Sequence, residues 1–255
     1  MDKYSILKQY YGHSAFRAGQ EALIDAILSG RDALCVMPTG GGKSLCYQIP
    51  ALLLPGITLV VSPLISLMKD QVAALKSAGI PAAYINSSLT GEQIRTVYAR
   101  TRKGAYKLIY VAPERLETNS FLSLMQEMDV SFLAVDEAHC ISQWGQDFRP
   151  SYLGIVDFIN ALPRRPIVAA YTATATKQVQ SDILRLLQLQ SPYRIVTGFD
   201  RPNLYFETRR ALPSQKPKEL LDLVLKEGDN AGIVYCSTTK QVDETARLLQ
   251  SRGIR

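Results

Sequence analysis

The sequence predicts an α/β protein built on a doubly wound, parallel sheet. Short β-type apolar runs alternate with helical patterns along nearly the whole chain, and no internal repeat or low-complexity tract interrupts them. One helical stretch, Leu64 to Ala78, follows Pro63 and stops just before Gly79, the start and stop chemistry of a helix. The candidate strands follow in order: Asp32 to Met37 (DALCVM), Ile57 to Val61 (ITLVV), Ala82 to Ile85 (AAYI), Lys107 to Val111 (KLIYV), Phe132 to Val135 (FLAV), Ile167 to Ala170 (IVAA) and Tyr193 to Thr197 (YRIVT). Runs this apolar belong to strands covered by helices on both faces.

The pattern breaks at Gly198 to Asn203 (GFDRPN) and restarts with a strand near Leu204 to Thr208, a helix from Pro217 to Lys226, a strand Gly232 to Cys236 and a helix from Thr239 to Arg252. Residues 1–199 are therefore expected to form one lobe and 200–255 the beginning of a second. Two strands and two helices cannot cover a parallel pair fully, so the second lobe reads as incomplete, with the chain stopping inside it.

At 255 residues, 47% hydrophobic and 20% charged, the chain can bury a full core. A net charge of +6 with an isoelectric point near 9.1 suits a polyanionic partner without deciding for one. Cys35, Cys46, Cys140 and Cys236 are far apart and form no CxxC pair, which points to reduced, buried thiols and not to disulfides or zinc. No apolar run approaches the ~20 residues of a membrane span, and the amino terminus has no signal-peptide pattern. A soluble, cytoplasmic protein is the expectation.

Two segments carry chemistry. PTGGGKS, Pro38 to Ser44, joins the first strand to a helical run. Thr39, Gly40, Gly41 and Gly42 let successive amides turn toward a phosphate, Lys43 reaches the terminal phosphates, and Ser44 suits magnesium. The strict GxxxxGK[ST] pattern is not met, because Met37 holds the first Gly position. The second segment, Val135 to Tyr152, begins with adjacent acids after an apolar strand: Asp136 is the expected magnesium partner, and Glu137 the expected base for the attacking water. His139 could bridge this site to TATAT, Thr172 to Thr176, where closely spaced hydroxyls follow another core strand; a capped turn is the competing reading of TATAT. Beyond the acids, Trp144, Phe148, Arg149 and Tyr152 have the composition of a base-stacking or phosphate-gripping surface. A lone tryptophan is more often core, but Trp144 lies between Gln143 and Gly145 in a polar loop. The basic cluster Arg95, Arg100, Arg102, Lys103 and Lys107 reads as a solvated helix face.

Together, MPTGGGKSLCYQIPALLL (Met37 to Leu54), SPLISLMKDQV (Ser62 to Val72), APERL (Ala112 to Leu116), DEAHCISQWGQDFRPSY (Asp136 to Tyr152) and TATAT resemble the RecQ family of ATP-dependent DNA helicases, in order and over essentially the whole chain. The aromatic loop fused to DEAH and the SLCYQIPA continuation are the specific part. The resemblance implies RecA-like lobes of the P-loop NTPase class clamping ATP and magnesium, translocation on single-stranded and partially duplex DNA, 3′ to 5′ unwinding, and work in DNA recombination and repair, near the nucleoid if the source is bacterial. It implies catalytic roles for Lys43, Asp136, Glu137 and His139, and adenine recognition by Phe16, Arg17 and Gln20, with Tyr11 as a stacking partner. DNA contacts are implied at Ser62, Lys69, Asn86, Ser87, Arg115, Trp144, Phe148 and Arg149.

Three departures from the family pattern stand out. Gln146 stands where the family commonly has His, and Ala18 replaces Pro in FRAGQ. The resemblance ends at Arg255, before the arginine finger and before the zinc-binding and winged-helix regions of relatives. An arginine finger is worth on the order of 10³ to 10⁵ in rate. The expectation is therefore nucleotide and DNA binding with weak hydrolysis, no processive unwinding and no zinc. The residues alone also leave open an RNA helicase of the same superfamily, or a non-catalytic module that binds nucleotide or single strands.

Overall fold

The computed structural model describes residues 1–198, 204–228 and 230–254, in two compact units, Met1–Asp200 and Arg201–Arg255. The first holds a seven-stranded sheet, all of whose pairings are parallel. The strands are β1 (Ala33–Val36), β2 (Ile57–Val61), β3 (Ala82–Ile85), β4 (Leu108–Val111), β5 (Val130–Val135), β6 (Ile167–Thr172) and β7 (Tyr193–Val196), in spatial order β3-β4-β2-β5-β6-β1-β7. Every strand predicted for this unit forms. β5 begins two residues early because Val130 pairs with Ile57 across a register shift, and β6 continues to Thr172 because that residue pairs with Val36.

Alternation along the strands divides the sheet's contribution to the core between two clusters, and Ile6, Leu7, Ile24 and Ile49 form a third among helices. Leu34, Val36, Leu59, Val61, Leu133 and Val135 pack with Phe121, Leu124, Ile155, Phe158, Val179 and Ile183 from the helices Asn119–Glu127, Gly154–Ala161 and Lys177–Leu186. Ala33, Cys35, Val60, Phe132 and Ala134 pack with Leu23, Ile27, Cys46, Tyr47, Met68 and Val72 from the helices Gln20–Leu28, Lys43–Leu53 and Ile65–Ser77. The inner strands are thus sandwiched between layers, as their unbroken apolar runs require, whereas β7, at the edge of the sheet, keeps Arg194 and Val196 exposed.

The strand order determines what meets at the carboxyl edge. β6 lies between β1 and β5, with Val36 opposite Thr172 and Val135 opposite Ala170. The loop after β1, the acids after β5 and the hydroxyls after β6 therefore emerge side by side, at the kind of edge where α/β proteins hold ligands. At the amino edge, Asp32 accepts from Val168 N (2.9 Å), Gln190 N (2.7 Å) and both terminal nitrogens of Arg165 (3.1 and 2.6 Å), tying the starts of β1 and β6 to the turn before β7.

In the second unit the helices form at Lys216–Glu227 and Thr239–Gln250. The strands expected near Leu204–Thr208 and at Gly232–Cys236 do not: both runs are irregular, and Ile233 and Tyr235 are 80% and 90% exposed. A strand exists only by sharing its ladder with a neighbour, and neither run has one among the described residues. Of the expected break, residues 199–203 lie outside the described residues. No helix among the described residues is long and apolar enough to cross a membrane.

Candidate active site

A cavity of about 430 Å³ opens at the carboxyl edge, within the range of small-molecule sites, and brings together Arg17, Gln20, Thr39, Gly40, Gly42, Lys43, Ser44, Asp136 and Glu137. The loop from Pro38 turns tightly: Gly40 and Gly42 have φ of 79° and 85°, and Gly42 caps the helix that Lys43 begins. A Cβ at Gly42 would collide with the amide of Gln20. Gln20, itself 1% exposed, donates from Nε2 to the carbonyls of Gly41 and Gly42 (3.2 Å each) and accepts the Arg17 N–H at 2.8 Å. Arg17 donates to the Gly40 carbonyl, and Lys43 Nζ to the Met37 carbonyl at 2.9 Å.

Asp136 and Glu137 are in different electrostatic states. Burial, followed by the neighbouring Glu137 charge, pushes the Asp136 carboxyl up to about 6. Glu137 adopts φ 47°, a conformation costly for a residue with a Cβ, and its hydrogen bond with His139 holds its carboxyl below the ordinary range. His139 Nδ1 lies 2.9 Å from Thr172 Oγ1 and 3.3 Å from Glu137 Oε2. Because the Thr172 hydroxyl donates to the Thr174 carbonyl at 2.9 Å, it accepts from His139, so Nδ1 carries a proton. Contact with the Cys140 sulfur and the Glu137 carboxylate raises His139 to about 10. The TATAT segment is both things the sequence suggested: Thr172 joins the acid site, while Thr176 caps the next helix through Val179 N at 3.3 Å.

The loop beyond the acids is fixed at its base and open at its tip. Tyr152 donates to the Asp136 carbonyl at 2.8 Å, and Arg149 N to the Cys140 carbonyl at 2.9 Å. A Cβ at Gly145 would collide with the His139 carbonyl, so the turn needs glycine. Trp144 projects outward, 75% exposed. Arg149 bonds Asp147 and the Pro63 carbonyl (3.1 Å), and Ser151 bonds Glu114 (3.2 Å), so the segments after β2 and β4 adjoin this loop.

Some predicted residues stand elsewhere. Tyr11 and Phe16 do not line the cavity: Tyr11 packs against the buried clusters with its hydroxyl enclosed, and Phe16 lies against Tyr4 with ring centroids 5.4 Å apart. Such rings bury more apolar surface under a helix than in a polar cleft. His13, Ala15, Leu45 and Leu67 line the cavity instead and were missed; the signal for His13 was a polar-edged ring four residues before Arg17.

Of the expected nucleic-acid contacts, Lys69, Ser87 and Trp144 are exposed, and Arg115, Phe148 and Arg149 half-buried. Ser62 and Asn86 are enclosed at 1% and 0% exposure. Asn86 uses its Oδ1 on Ser88, at 3.0 Å to N and 2.8 Å to Oγ, so it shapes a turn and presents no group to an incoming phosphate. Lys107 is not on a solvated face either: its Nζ donates to the carbonyls of Leu54 and Gly56 (2.9 Å), and burial lowers it. Cys35, Cys46 and Cys140 are buried and free, Cys236 free and half-buried.

A family described as DEAD/DEAH box helicase matches residues 17–182. The chain is 46% identical over 252 residues to "ATP-dependent DNA helicase RecQ" of Bacillus subtilis (strain 168), covering 98% of this chain and 42% of that protein. It is 48% identical over 251 residues to the protein of the same name in Haemophilus influenzae, covering 98% and 40%. It thus spans about two fifths of the length of these relatives. A solved structure of the DUF1998 helicase MrfA, bound to DNA and AMPPNP, superposes with a TM-score of 0.73 at 16% identity, over 98% of this chain and 38% of that one; that likeness is one of fold.

Proposed function

Since this chain belongs to the DEAD/DEAH box helicase family, we propose that it binds magnesium ATP in the carboxyl-edge cavity and couples hydrolysis to single-stranded DNA, as part of a RecQ-type helicase moving 3′ to 5′ in recombination and repair. One observation carries the reading: the phosphate loop of β1 and the acids of β5 face one cavity, and His139 links Glu137 to Thr172 on the strand between them.

Lys43 exchanges the Met37 carbonyl for the terminal phosphates, and the amides of Gly40 to Ser44 surround the others. Arg17 and Gln20 brace that loop by its carbonyls, so the base end of the nucleotide and the phosphate end share one framework. Glu137, held ionised by His139, accepts the proton of the attacking water. The donor set fits a hard cation: Ser44 and the poorly compensated Asp136 carboxylate are the oxygens that would hold magnesium. Bound there, the ion supplies neutralising charge to the phosphates. Trp144, Lys69, Ser87, Arg115, Phe148 and Arg149 form the DNA-facing set, with Ser62 and Asn86 beneath it as supports.

The test is ATP turnover with and without single-stranded DNA, and with RNA at the same salt. Glu137→Gln is expected to cut DNA-stimulated turnover by about 10² to 10⁴ while nucleotide still binds. A parent that binds no nucleotide, or a Glu137→Gln variant that hydrolyses at the parental rate, overturns the proposal. Greater stimulation by RNA than by DNA overturns the substrate.

A further inference from the structure

The aromatic loop is gripped from a second side. Ser142, fully buried, donates its hydroxyl to Asp182 Oδ2 at 2.7 Å, and the same oxygen accepts the Trp144 N–H at 3.2 Å. The Ser142 carbonyl accepts the Gly145 N–H at 2.9 Å. Asp182 lies on the helix Lys177–Leu186, which follows directly from Thr172 and Thr174 and is capped by Thr176. The end of β6 and the helix after it therefore hold the segment after β5 twice: at the cavity, through Thr172 and His139, and at the root of the exposed ring, through Asp182 and Ser142.

The geometry of Asp182 suits an anchor. It is 7% exposed, and Arg185 (3.1 Å) and Gln178 (3.5 Å), on its own helix, hold Oδ1, which leaves Oδ2 aimed at Ser142. A charge-assisted bond of this kind is shorter and stronger than one between neutral groups. Trp144 has three quarters of its surface in solvent, so packing contributes little to its position and the backbone bonds of its loop set it.

We propose that Asp182 is a positioning residue for coupling: through Ser142 it fixes the Trp144 backbone relative to the Thr172–His139 junction, so that a single strand seated on the loop is felt at Glu137. This rests on the function proposed above. Trp144 is the sole tryptophan, so its emission and anisotropy report the loop without a label.

Parent, Asp182→Ala and Asp182→Asn, matched by far-UV circular dichroism, would be compared in Trp144 anisotropy and in ATP turnover with and without single-stranded DNA. Asp182→Ala is expected to lower the anisotropy and to cut DNA stimulation roughly tenfold or more, leaving DNA-free turnover unchanged. Asp182→Asn, which keeps an acceptor oxygen, restores most of both. Ser142→Ala, which leaves Asp182 with its helix partners, gives the same loss and adds little when combined with Asp182→Ala, so the proposal stays testable if Asp182→Ala fails to fold. Retained DNA stimulation in the folded variants, or a parallel fall in DNA-free turnover, overturns the proposal. A parent without DNA stimulation refutes the function proposed above; Trp144 anisotropy then decides alone, and an unchanged value in the variants overturns the anchor.

Discussion

Replacing Asp136 with Asn removes a charge that the fold holds at a cost. Burial and Glu137 move its carboxyl from an ordinary 3.8 to about 6, which at about 1.4 kcal/mol per pH unit amounts to about 3 kcal/mol against the ionised form. Asn keeps the oxygen that accepts the Glu137 N–H at 3.0 Å, so the substitution removes the charge and retains that bond. The folded state binds this proton more tightly than the unfolded chain. The group's penalty is therefore absent below 3.8, grows as pH rises, and is complete above about 6. Asp136→Asn should stabilise the ligand-free protein by up to about 3 kcal/mol near pH 8, a rise of roughly 6 to 12 °C in melting temperature. The gain should close as pH falls toward 4. The assay is thermal denaturation with a chelator present, across that pH range. A variant melting at or below the parent near pH 8, or a gain that persists near pH 4, would show that Asp136 is not an unfavourable buried charge.

The amino edge should behave in the opposite sense. Asp32→Ala strands the Val168 and Gln190 amides and leaves the Arg165 guanidinium without its counter-charge, so it should cost about 3 to 5 kcal/mol in urea denaturation; a loss below about 1 kcal/mol would contradict this. Thr172→Val keeps the shape of a fully buried side chain but removes the acceptor for His139 and the donor to the Thr174 carbonyl. It should cost about 1 to 3 kcal/mol and lower DNA-stimulated turnover more than nucleotide affinity, and turnover equal to the parent's would contradict the linkage.

The sheet was legible because each strand is a short apolar run: Ile57–Val61 and Ala82–Ile85 match at both ends. Val130 and Ser131 escaped because a polar Ser interrupts the run, and its hydroxyl turns to the carbonyls of Pro55 and Ile57. Helix ends followed their punctuation, as at Pro63 and Gly79. Residues 204–208 and 232–236 look like strands by composition, but composition carries no information about a pairing partner. In the site, Lys43, Ser44, Asp136 and Glu137 share a cavity that spacing after core strands foretold. What spacing could not give was orientation. Ser62 and Asn86 sit at strand ends where polar side chains can turn either way, and both turn inward. Nor could it pair Ser142 with Asp182, 40 residues on, since that contact depends on a helix folding back across the sheet edge.

The three buried aspartates of the described residues separate scaffold from working site without reference to any motif. Asp32 has an arginine and two amides, and Asp182 has a hydroxyl, an arginine and a glutamine; each is surrounded by donors, the arrangement that makes a buried carboxylate tolerable. Asp136 has one amide, a neighbouring negative charge and an open cavity, beside a residue held at φ 47°. An acid at such a position lowers the stability of the ligand-free fold, and the function proposed above supplies what offsets it. A cation beside a polyphosphate would do so, and it should stabilise the parent more than Asp136→Asn. Adding magnesium and a non-hydrolysable nucleotide should therefore narrow or reverse the melting-temperature gap between the two, whereas a gap unmoved by both would leave the charge at Asp136 without a function.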